Sequence, residues 1–207
     1  MAMVDRTREL ESLAAEEAKP IGWDGRTAGG MLEESERLFA ETGSYWGLTG
    51  DLDLKAADPI RYEKLFSRLR GGLVSARETA LNISASPIVK EIGELCFGLY
   101  TPEGDSVALS TGIIVHIHTM SDAIKYMIRQ GYEDNPGIAA GDIFCNNDAM
   151  IGDVHNADVQ TIVPIFWEDE LASWHLRRCE TQTRAPMYYL LDEKTRLAGC
   201  HLIREAV

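Results

Sequence analysis

The sequence has little positive charge and no cluster of it. Its 207 residues carry 20 Lys and Arg against 33 Asp and Glu, which gives a formal net charge of −13 at pH 7. The longest basic run is the pair Arg177 and Arg178. Because proteins that bind nucleic acids gather Lys and Arg on one face to neutralise phosphates, the composition argues against a nucleic-acid partner.

Further absences narrow the class of protein. No apolar run approaches the roughly 18 residues of a membrane-spanning helix, and the charged start lacks the apolar core of a signal peptide. We therefore expect a cytoplasmic protein with no membrane contact. No G-x-x-x-x-G-K-[ST] phosphate loop occurs, so we expect no nucleotide to bind to this chain. No C-x-x-C pair occurs either, which favours reduced, buried thiols over a disulfide framework or zinc ribbon at Cys96, Cys145, Cys179 and Cys200.

What is present is the composition of an ordinary globular protein, with 45% apolar and 26% charged residues. Asp58 followed by Pro59, with apolar residues at steps of three and four, predicts one long helix over 58–83. The pair Gly71 and Gly72 inside it indicates close packing rather than a break. Helices are also predicted over 2–18, 31–42, 120–131 and 187–207.

Short apolar runs separated by turn residues predict strands in the second half of the chain. They lie at 94–100 and 106–109, which form a hairpin, and at 142–145 and 159–167. Residues 113–118 are predicted to continue as a strand or as a buried approach segment. Strands and helices without a regular βαβ alternation predict an α+β fold with a mixed sheet. We divide the chain into a peripheral helical arm (1–44), a main domain (45–174) and a C-terminal helical segment (175–207).

The densest polar cluster lies between two predicted strands, in residues 146–158. His155 and Asp158 stand three residues apart, so an imidazole and a carboxylate can converge there on one divalent metal ion. The alternative is a loop held by Asx turns, in which Asn147 and Asp148 bond to their own backbone.

The sequence gives weaker indications of a function for three other histidines. His116 and His118 alternate along a predicted strand, so one ring would face the core and the other the opposite side. One of them could polarise a substrate carbonyl, but an ordinary satisfied histidine is the simpler interpretation. His201 is expected on the terminal helix in a structural role.

The polar loop also carries a family resemblance. The run Phe144-Cys-Asn-Asn-Asp-Ala-Met-Ile-Gly-Asp-Val-His-Asn-Ala-Asp158 and the following Thr161-Ile-Val-Pro-Ile-Phe-Trp167 are similar to the signature loop and strand of the hydantoinase B / oxoprolinase family. Within it they resemble the acetone carboxylase alpha subunits. The similarity covers about residues 45–173 and extends upstream through Tyr62-Glu-Lys-Leu-Phe66, Ala76-Arg-Glu-Thr-Ala80 and Gly93-Glu-Leu-Cys-Phe97.

The resemblance implies a hydantoinase B-like fold and a subunit of an ATP-dependent enzyme that joins acetone to bicarbonate, giving acetoacetate. It further implies Mn²⁺ held by His155 and Asp158, beta and gamma partner subunits, and ATP bound on a partner subunit. A metal ion in that position would polarise a carbonyl oxygen and stabilise an enolate, which carbon–carbon bond formation at a ketone needs.

One part of the family pattern is missing. The third metal ligand that the resemblance implies is the His of a Gly-Gly-Val-Thr-His motif, but after Trp174 the sequence reads His175-Leu-Arg-Arg-Cys-Glu180. His175 is a candidate substitute, with an exposed histidine at a junction as the alternative. The later stretch 189–204 resembles a segment far downstream in the family. We therefore expect an incomplete fold, an N-terminal portion of such a subunit with an internal deletion and an early end.

Three functions stay open at this point. The first is a subunit of an acetone carboxylase, and the second is a subunit of a hydrolase that opens the ring of a hydantoin or of 5-oxoproline. The third is a catalytically inactive remnant. The Phe144-Cys-Asn-Asn-Asp148 loop favours the carboxylase branch, since the hydrolases more usually show a proline and an aromatic residue after the Asn-Asp pair.

Overall fold

The structure, a computed structural model, describes residues 20–48, 50, 52–110, 112, 115–153, 155, 158–180 and 200–203. The helices in these residues are α1 (Ala28–Thr42), α2 (Asp53–Ala57), α3 (Pro59–Ile83) and α4 (Val115–Arg129). The strands are β1 (Leu95–Tyr100), β2 (Ser106–Leu109), β3 (Ile143–Asn146), β4 (Asp158–Trp167), β5 (Glu170–Glu180) and β6 (Cys200–Ile203). No helix in the described part of the chain is long and apolar enough to cross a membrane.

These strands form one sheet in the order β2-β1-β5-β4-β3-β6, and each neighbouring pair is antiparallel. The predicted α+β class is confirmed, with an antiparallel sheet where a mixed one was expected. The predicted hairpin of β1 and β2 and the strands β3 and β4 are confirmed as well. Because side chains alternate between the two faces of a strand, this register decides which residues can share a site.

The two faces of the sheet are covered by different helices. Helices α4 and α1 cover one face, which we call the α4 face, and its core includes Leu32, Tyr100, Ile124, Met127, Phe144, Ile162 and Trp174. Helix α3 packs against β1 and β2 on the other face, which we call the α3 face. The buried cluster there is smaller and consists of Leu73, Val89, Leu95, Phe97 and Ala108.

Both helices predicted in the first third of the described chain are confirmed. Helix α3 begins after Asp58, whose side chain accepts a hydrogen bond from the Arg61 N–H at 2.9 Å. Helix α1 begins after Thr27 and ends at Gly43, which takes the left-handed conformation. The close packing predicted at Gly71 and Gly72 is wrong, because a β-carbon at either would meet no described atom within 4 Å.

The strand predicted over 113–118 is wrong, because helix α4 already begins at Val115. A short apolar run does not by itself distinguish a strand from a buried helix. An apolar stripe at helical spacing is buried against the sheet, and it gives the whole segment its helical period. The stripe consists of Met120, Ala123, Ile124 and Met127. His116 and His118 therefore lie in the first turns of α4, and the argument from strand alternation does not apply to them.

The predicted C-terminal helical segment, 175–207, is wrong wherever the structure describes it. Residues 175–180 continue β5, and β6 pairs with β3, so that His201 lies opposite Cys145 on a strand. Without β6, β3 would be an edge strand with unpaired backbone groups; β6 satisfies them, and this non-local pairing overrides a local helical pattern. The rest of the predicted helix 187–207 lies outside the described residues.

The predicted peripheral arm, 1–44, is only partly within the structure. The helix predicted over 2–18 lies outside the described residues. Ile21, Ala28 and Leu32 are buried in the core of the α4 face, so the described part of this segment belongs to the main body. Glu133 fixes it there, since its carboxylate accepts hydrogen bonds from the backbone N–H groups of Ile21 and Ala28 at 2.8 and 2.7 Å.

Candidate metal centre

The candidate site is the loop 147–157, which connects β3 to β4. The strands pair Asn146 with Gln160, so the loop leaves and re-enters the sheet at neighbouring positions. Asx turns are present: the Met150 N–H donates to Oδ1 of Asp148 at 2.8 Å, and the Asp148 N–H donates to Oδ1 of Asn146 at 2.9 Å. The turns thus form at Asn146 and Asp148, where the sequence predicted Asn147 and Asp148.

His155 and Asp158 lie side by side at the end of this loop. Asp158 is the first residue of β4 and is 2% exposed, whereas the side chain of His155 is 49% exposed. Nδ1 of His155 lies 3.2 Å from Oδ2 of Asp158. The Asp158 N–H donates to the His155 carbonyl at 3.0 Å. The structure therefore brings the predicted pair together.

The geometry of this pair can be tested against a divalent ion. Two ligand atoms in adjacent positions of an octahedral site, each about 2.1 Å from the metal, lie about 3 Å apart. The 3.2 Å between Nδ1 and Oδ2 is close to that separation, and it is equally the distance of a direct imidazole–carboxylate contact, in which Oδ2 also accepts a hydrogen bond from the His155 backbone N–H at 3.4 Å. No group of three or more His, Cys, Asp or Glu that could hold a metal ion occurs among the described residues. His155 and Asp158 thus fit as two ligands of a site but do not complete it.

His175 does not join this pair, and the hypothesis that it substitutes for the missing ligand is wrong. It lies in the middle of β5 opposite Val163, five positions along β4 from Asp158 and on the opposite face of the sheet. Its ring lies 5.3 Å from the ring of Phe97, in the cluster beside α3. Asp158 instead shares the α4 face with Ile162.

Three buried polar residues around the loop were not singled out from the sequence. Asn146 and Gln160 are 1% and 0% exposed, and Nδ2 of Asn146 donates to Oε1 of Gln160 at 3.1 Å. The sequence did contain a signal that Gln160 is buried, because Gln160 lies two residues before the apolar Ile162 and therefore on the same face of the strand. Asp153 is also buried. Its pKa is raised to about 8, mainly by burial and to a smaller extent by the negative charge of Asp148.

The chain matches the hydantoinase B/oxoprolinase family over residues 58–205. This match extends over more than half of the chain, and it includes the loop and both strands that hold His155 and Asp158. The protein therefore belongs to the hydantoinase B/oxoprolinase family.

The individual relatives include subunits of carboxylases and 5-oxoprolinases. The chain is 44% identical over 226 residues to the acetone carboxylase alpha subunit of Xanthobacter autotrophicus, matching 86% of this chain and 29% of that protein. It is 31% identical over 125 residues to the acetophenone carboxylase delta subunit of Aromatoleum aromaticum, matching 60% of this chain and 18% of that protein. It is 25% identical over 115 residues to 5-oxoprolinase 1 of Arabidopsis thaliana, matching 56% of this chain and 9% of that protein.

A solved structure is similar too. The nucleotide-free structure of acetone carboxylase superposes with a TM-score of 0.75 at 52% identity, covering 78% of this chain and 21% of that chain. The hydantoinase B-like fold expected from the sequence is thereby confirmed.

The chain spans only 29% of the length of the alpha subunit from Xanthobacter autotrophicus. The aligned stretch has 226 positions, whereas 86% of 207 residues is about 178, so this chain has about 48 fewer residues inside the matched stretch. This difference supports the internal deletion that the missing Gly-Gly-Val-Thr-His motif predicts.

Proposed function

We propose that this chain acts as part of an alpha subunit of an ATP-dependent acetone carboxylase, which joins acetone to bicarbonate and forms acetoacetate. The observation that carries this proposal is the 52% identity and TM-score of 0.75 to solved acetone carboxylase. The 44% identity to an acetone carboxylase alpha subunit supports the same assignment. The His155–Asp158 pair adds chemical support, since its geometry suits two ligands of one divalent ion.

His155 and Asp158 would hold Mn²⁺ at the end of the β3–β4 loop. A divalent cation there supplies Lewis acidity toward the carbonyl oxygen of a small ketone. Asp158 is buried and fixed by β4, while His155 faces solvent. Substrate would therefore reach the pair from the side of His155.

We assign ATP binding, and the completion of the complex, to partner subunits. Two relatives are named as alpha and delta subunits of carboxylases, which supports a hetero-oligomeric assembly. We place ATP on a beta subunit, because the sequence contains no G-x-x-x-x-G-K-[ST] phosphate loop. A gamma subunit would complete the complex, with acetone and bicarbonate as substrates.

Two alternatives have their own support. A ring-opening hydrolase subunit is favoured by the 25% identity to 5-oxoprolinase 1. A catalytically inactive remnant is favoured by the pair of ligands without a third among the described residues, and by the shorter matched stretch.

The experiment is reconstitution of the full chain with the beta and gamma subunits of an acetone carboxylase. We expect acetoacetate to form only when acetone, bicarbonate and ATP are all present. His155→Ala and Asp158→Ala should abolish turnover and Mn²⁺ retention through gel filtration. The matched control is Met150→Ala, which alters an exposed side chain on the same loop and should leave both unchanged.

The other outcomes separate the alternatives. Ring opening of a hydantoin or of 5-oxoproline, without acetoacetate, would favour the hydrolase. A chain that retains no Mn²⁺ and supports neither reaction would favour the inactive remnant.

A further inference from the structure

Two buried amides connect β3 and β4 beneath the candidate metal loop. Asn146 ends β3 and Gln160 is the third residue of β4, and the sheet places them directly opposite each other. Nδ2 of Asn146 donates to Oε1 of Gln160 at 3.1 Å. Burying two amides is unfavourable unless their donors and acceptors find partners, so the remaining polar atoms of this pair are informative.

Those remaining atoms bind the backbone of the loop. Nδ2 of Asn146 also donates to the Ile151 carbonyl at 2.7 Å, and Nε2 of Gln160 donates to the Gly152 carbonyl at 2.5 Å. Oδ1 of Asn146 accepts from the Asp148 N–H at 2.9 Å. Three backbone groups between residues 148 and 152 are thus held by two side chains that belong to the sheet.

Helix α4 holds the same loop from the other side. Gly152 has a φ of +86°, and a β-carbon there would overlap the carbonyl oxygen of Thr119 and lie 3.1 Å from the Ala123 nitrogen. The loop backbone therefore lies directly against α4 at this point. Held between the amides and the helix, Gly152 has a fixed position relative to the sheet.

The consequence concerns the metal pair. His155 follows Gly152 by three residues, and Asp158 stands two residues before Gln160 on the same face of β4. We infer that Asn146 and Gln160 are positioning residues, which hold the loop so that His155 is brought to Asp158 in the geometry for a divalent cation. The inference deepens the proposed function and rests on it for the identity of the ligand.

The experiment compares two variants with one control in the full-length chain. Gln160→Met keeps the length of the side chain but cannot donate to the Gly152 carbonyl. Asn146→Asp keeps the acceptor for the Asp148 N–H but loses the two hydrogen bonds that Nδ2 donates, to the Ile151 carbonyl and to Oε1 of Gln160. This variant tests the inference if Gln160→Met does not fold. The control, Ile162→Val, alters a buried residue of β4 two positions away that belongs to the hydrophobic core.

Two readouts are measured on each protein. The first is hydrogen exchange of the Asp158 amide, which donates to the His155 carbonyl; in both variants we expect it to be about tenfold faster than in the control. The second is the dissociation constant for Mn²⁺ alone, which should rise tenfold or more in the variants, a loss typical of residues that orient metal ligands. In Ile162→Val it should stay within about twofold.

The outcomes distinguish this inference from the proposed function. If the Asp158 amide exchanges at the same rate in the variants and the control, or if a parent that binds Mn²⁺ is matched in affinity by the variants, the inference is overturned; where the parent binds Mn²⁺, the metal site stands. If the parent binds no Mn²⁺ but the Asp158 amide exchanges faster as expected, the metal site of the proposed function fails. The positioning of His155 and Asp158 by the two amides is then upheld.

Discussion

The two faces of the sheet differ in how completely the described chain covers them. On the α4 face, Trp174, Tyr100 and Phe144 are wholly buried among residues of α1 and α4. On the α3 face, Leu73 is the single residue of α3 that is buried, and Ile60 and Ile83 are 76% and 79% exposed. The candidate metal loop therefore lies over the better-covered face.

This difference shows what an apolar stripe can and cannot predict. The three- and four-residue spacing along α3 correctly predicts its helical period, but spacing contains no information on what covers the stripe. The described chain leaves much of that stripe in solvent, in a protein that spans 29% of the length of a related alpha subunit. We therefore expect the stability of this chain to reside mainly on the α4 face.

The largest expected difference is between large-to-small substitutions on the two faces. Trp174→Ala should lower the free energy of unfolding by about 3–5 kcal/mol, because it opens a cavity in the core of the α4 face. It also removes the hydrogen bond from Nε1 to the Pro102 carbonyl, which measures 2.9 Å. Leu73→Ala should cost about 2 kcal/mol, the lower end for a buried leucine. Urea unfolding measures both, and equal losses would mean that the faces contribute alike.

A smaller effect is expected from Gly152→Ala, where the loop meets α4. A β-carbon would overlap the Thr119 carbonyl, and the φ of +86° is unfavourable for alanine. We expect a loss of about 2–3 kcal/mol in unfolding free energy, from the strained backbone together with the overlap. Gly141→Ala is the control, since its φ is +92° but a β-carbon there meets nothing within 4 Å. Thermal unfolding of both should show the smaller loss for Gly141→Ala, and equal losses would contradict a tight loop–helix contact.

The elements predicted correctly have local signals. Three such signals are the Asp58–Pro59 start of α3, the turn between β1 and β2, and the apolar run along β4, and each is contained in neighbouring residues. The approach of His155 to Asp158 is also local, because three residues separate them. Sequence reasoning could therefore find the pair, although the amides that hold the loop act across two strands.

The wrong predictions depended on partners distant in sequence. Cys200–Ile203 is a strand because β3 offers it an edge, and β3 lies more than 50 residues earlier. His175 points away from Asp158 because the register of β4 and β5 puts the two residues on opposite faces. A shift of that register by one residue would reverse the result, and the local sequence does not specify it.

A pH-dependent effect is expected from Glu103, in the β1–β2 turn that packs on α4. Its side chain is wholly buried, and burial raises its pKa above the ordinary value of 4.5. A raised folded-state pKa means that stability is fully present below about pH 4.5 and is lost as pH rises toward the folded-state value. Glu103→Gln should remove that loss and be more stable than the parent at pH 7.5.

The measurement for Glu103 is unfolding free energy from pH 4 to pH 8. The control is Glu63→Gln, which alters an exposed carboxylate on α3 and should leave the profile of the parent unchanged. A Glu103→Gln profile parallel to that of the parent would show that this carboxyl titrates alike in the folded and unfolded chains.

The smallest expected effect is a gain in stability on the α3 face. Gly71 lies inside α3, and a β-carbon there meets no described atom within 4 Å. Gly71→Ala should therefore raise the free energy of unfolding by about 0.5–1 kcal/mol, because alanine loses less backbone entropy in a helix. Gly98→Ala is the contrasting control, since a β-carbon there would lie 2.6 Å from the ring of Tyr100 and should destabilise the sheet. If Gly71→Ala destabilises the chain in urea unfolding, another surface must contact α3 at that point, and the α3 face is better covered than the described residues show.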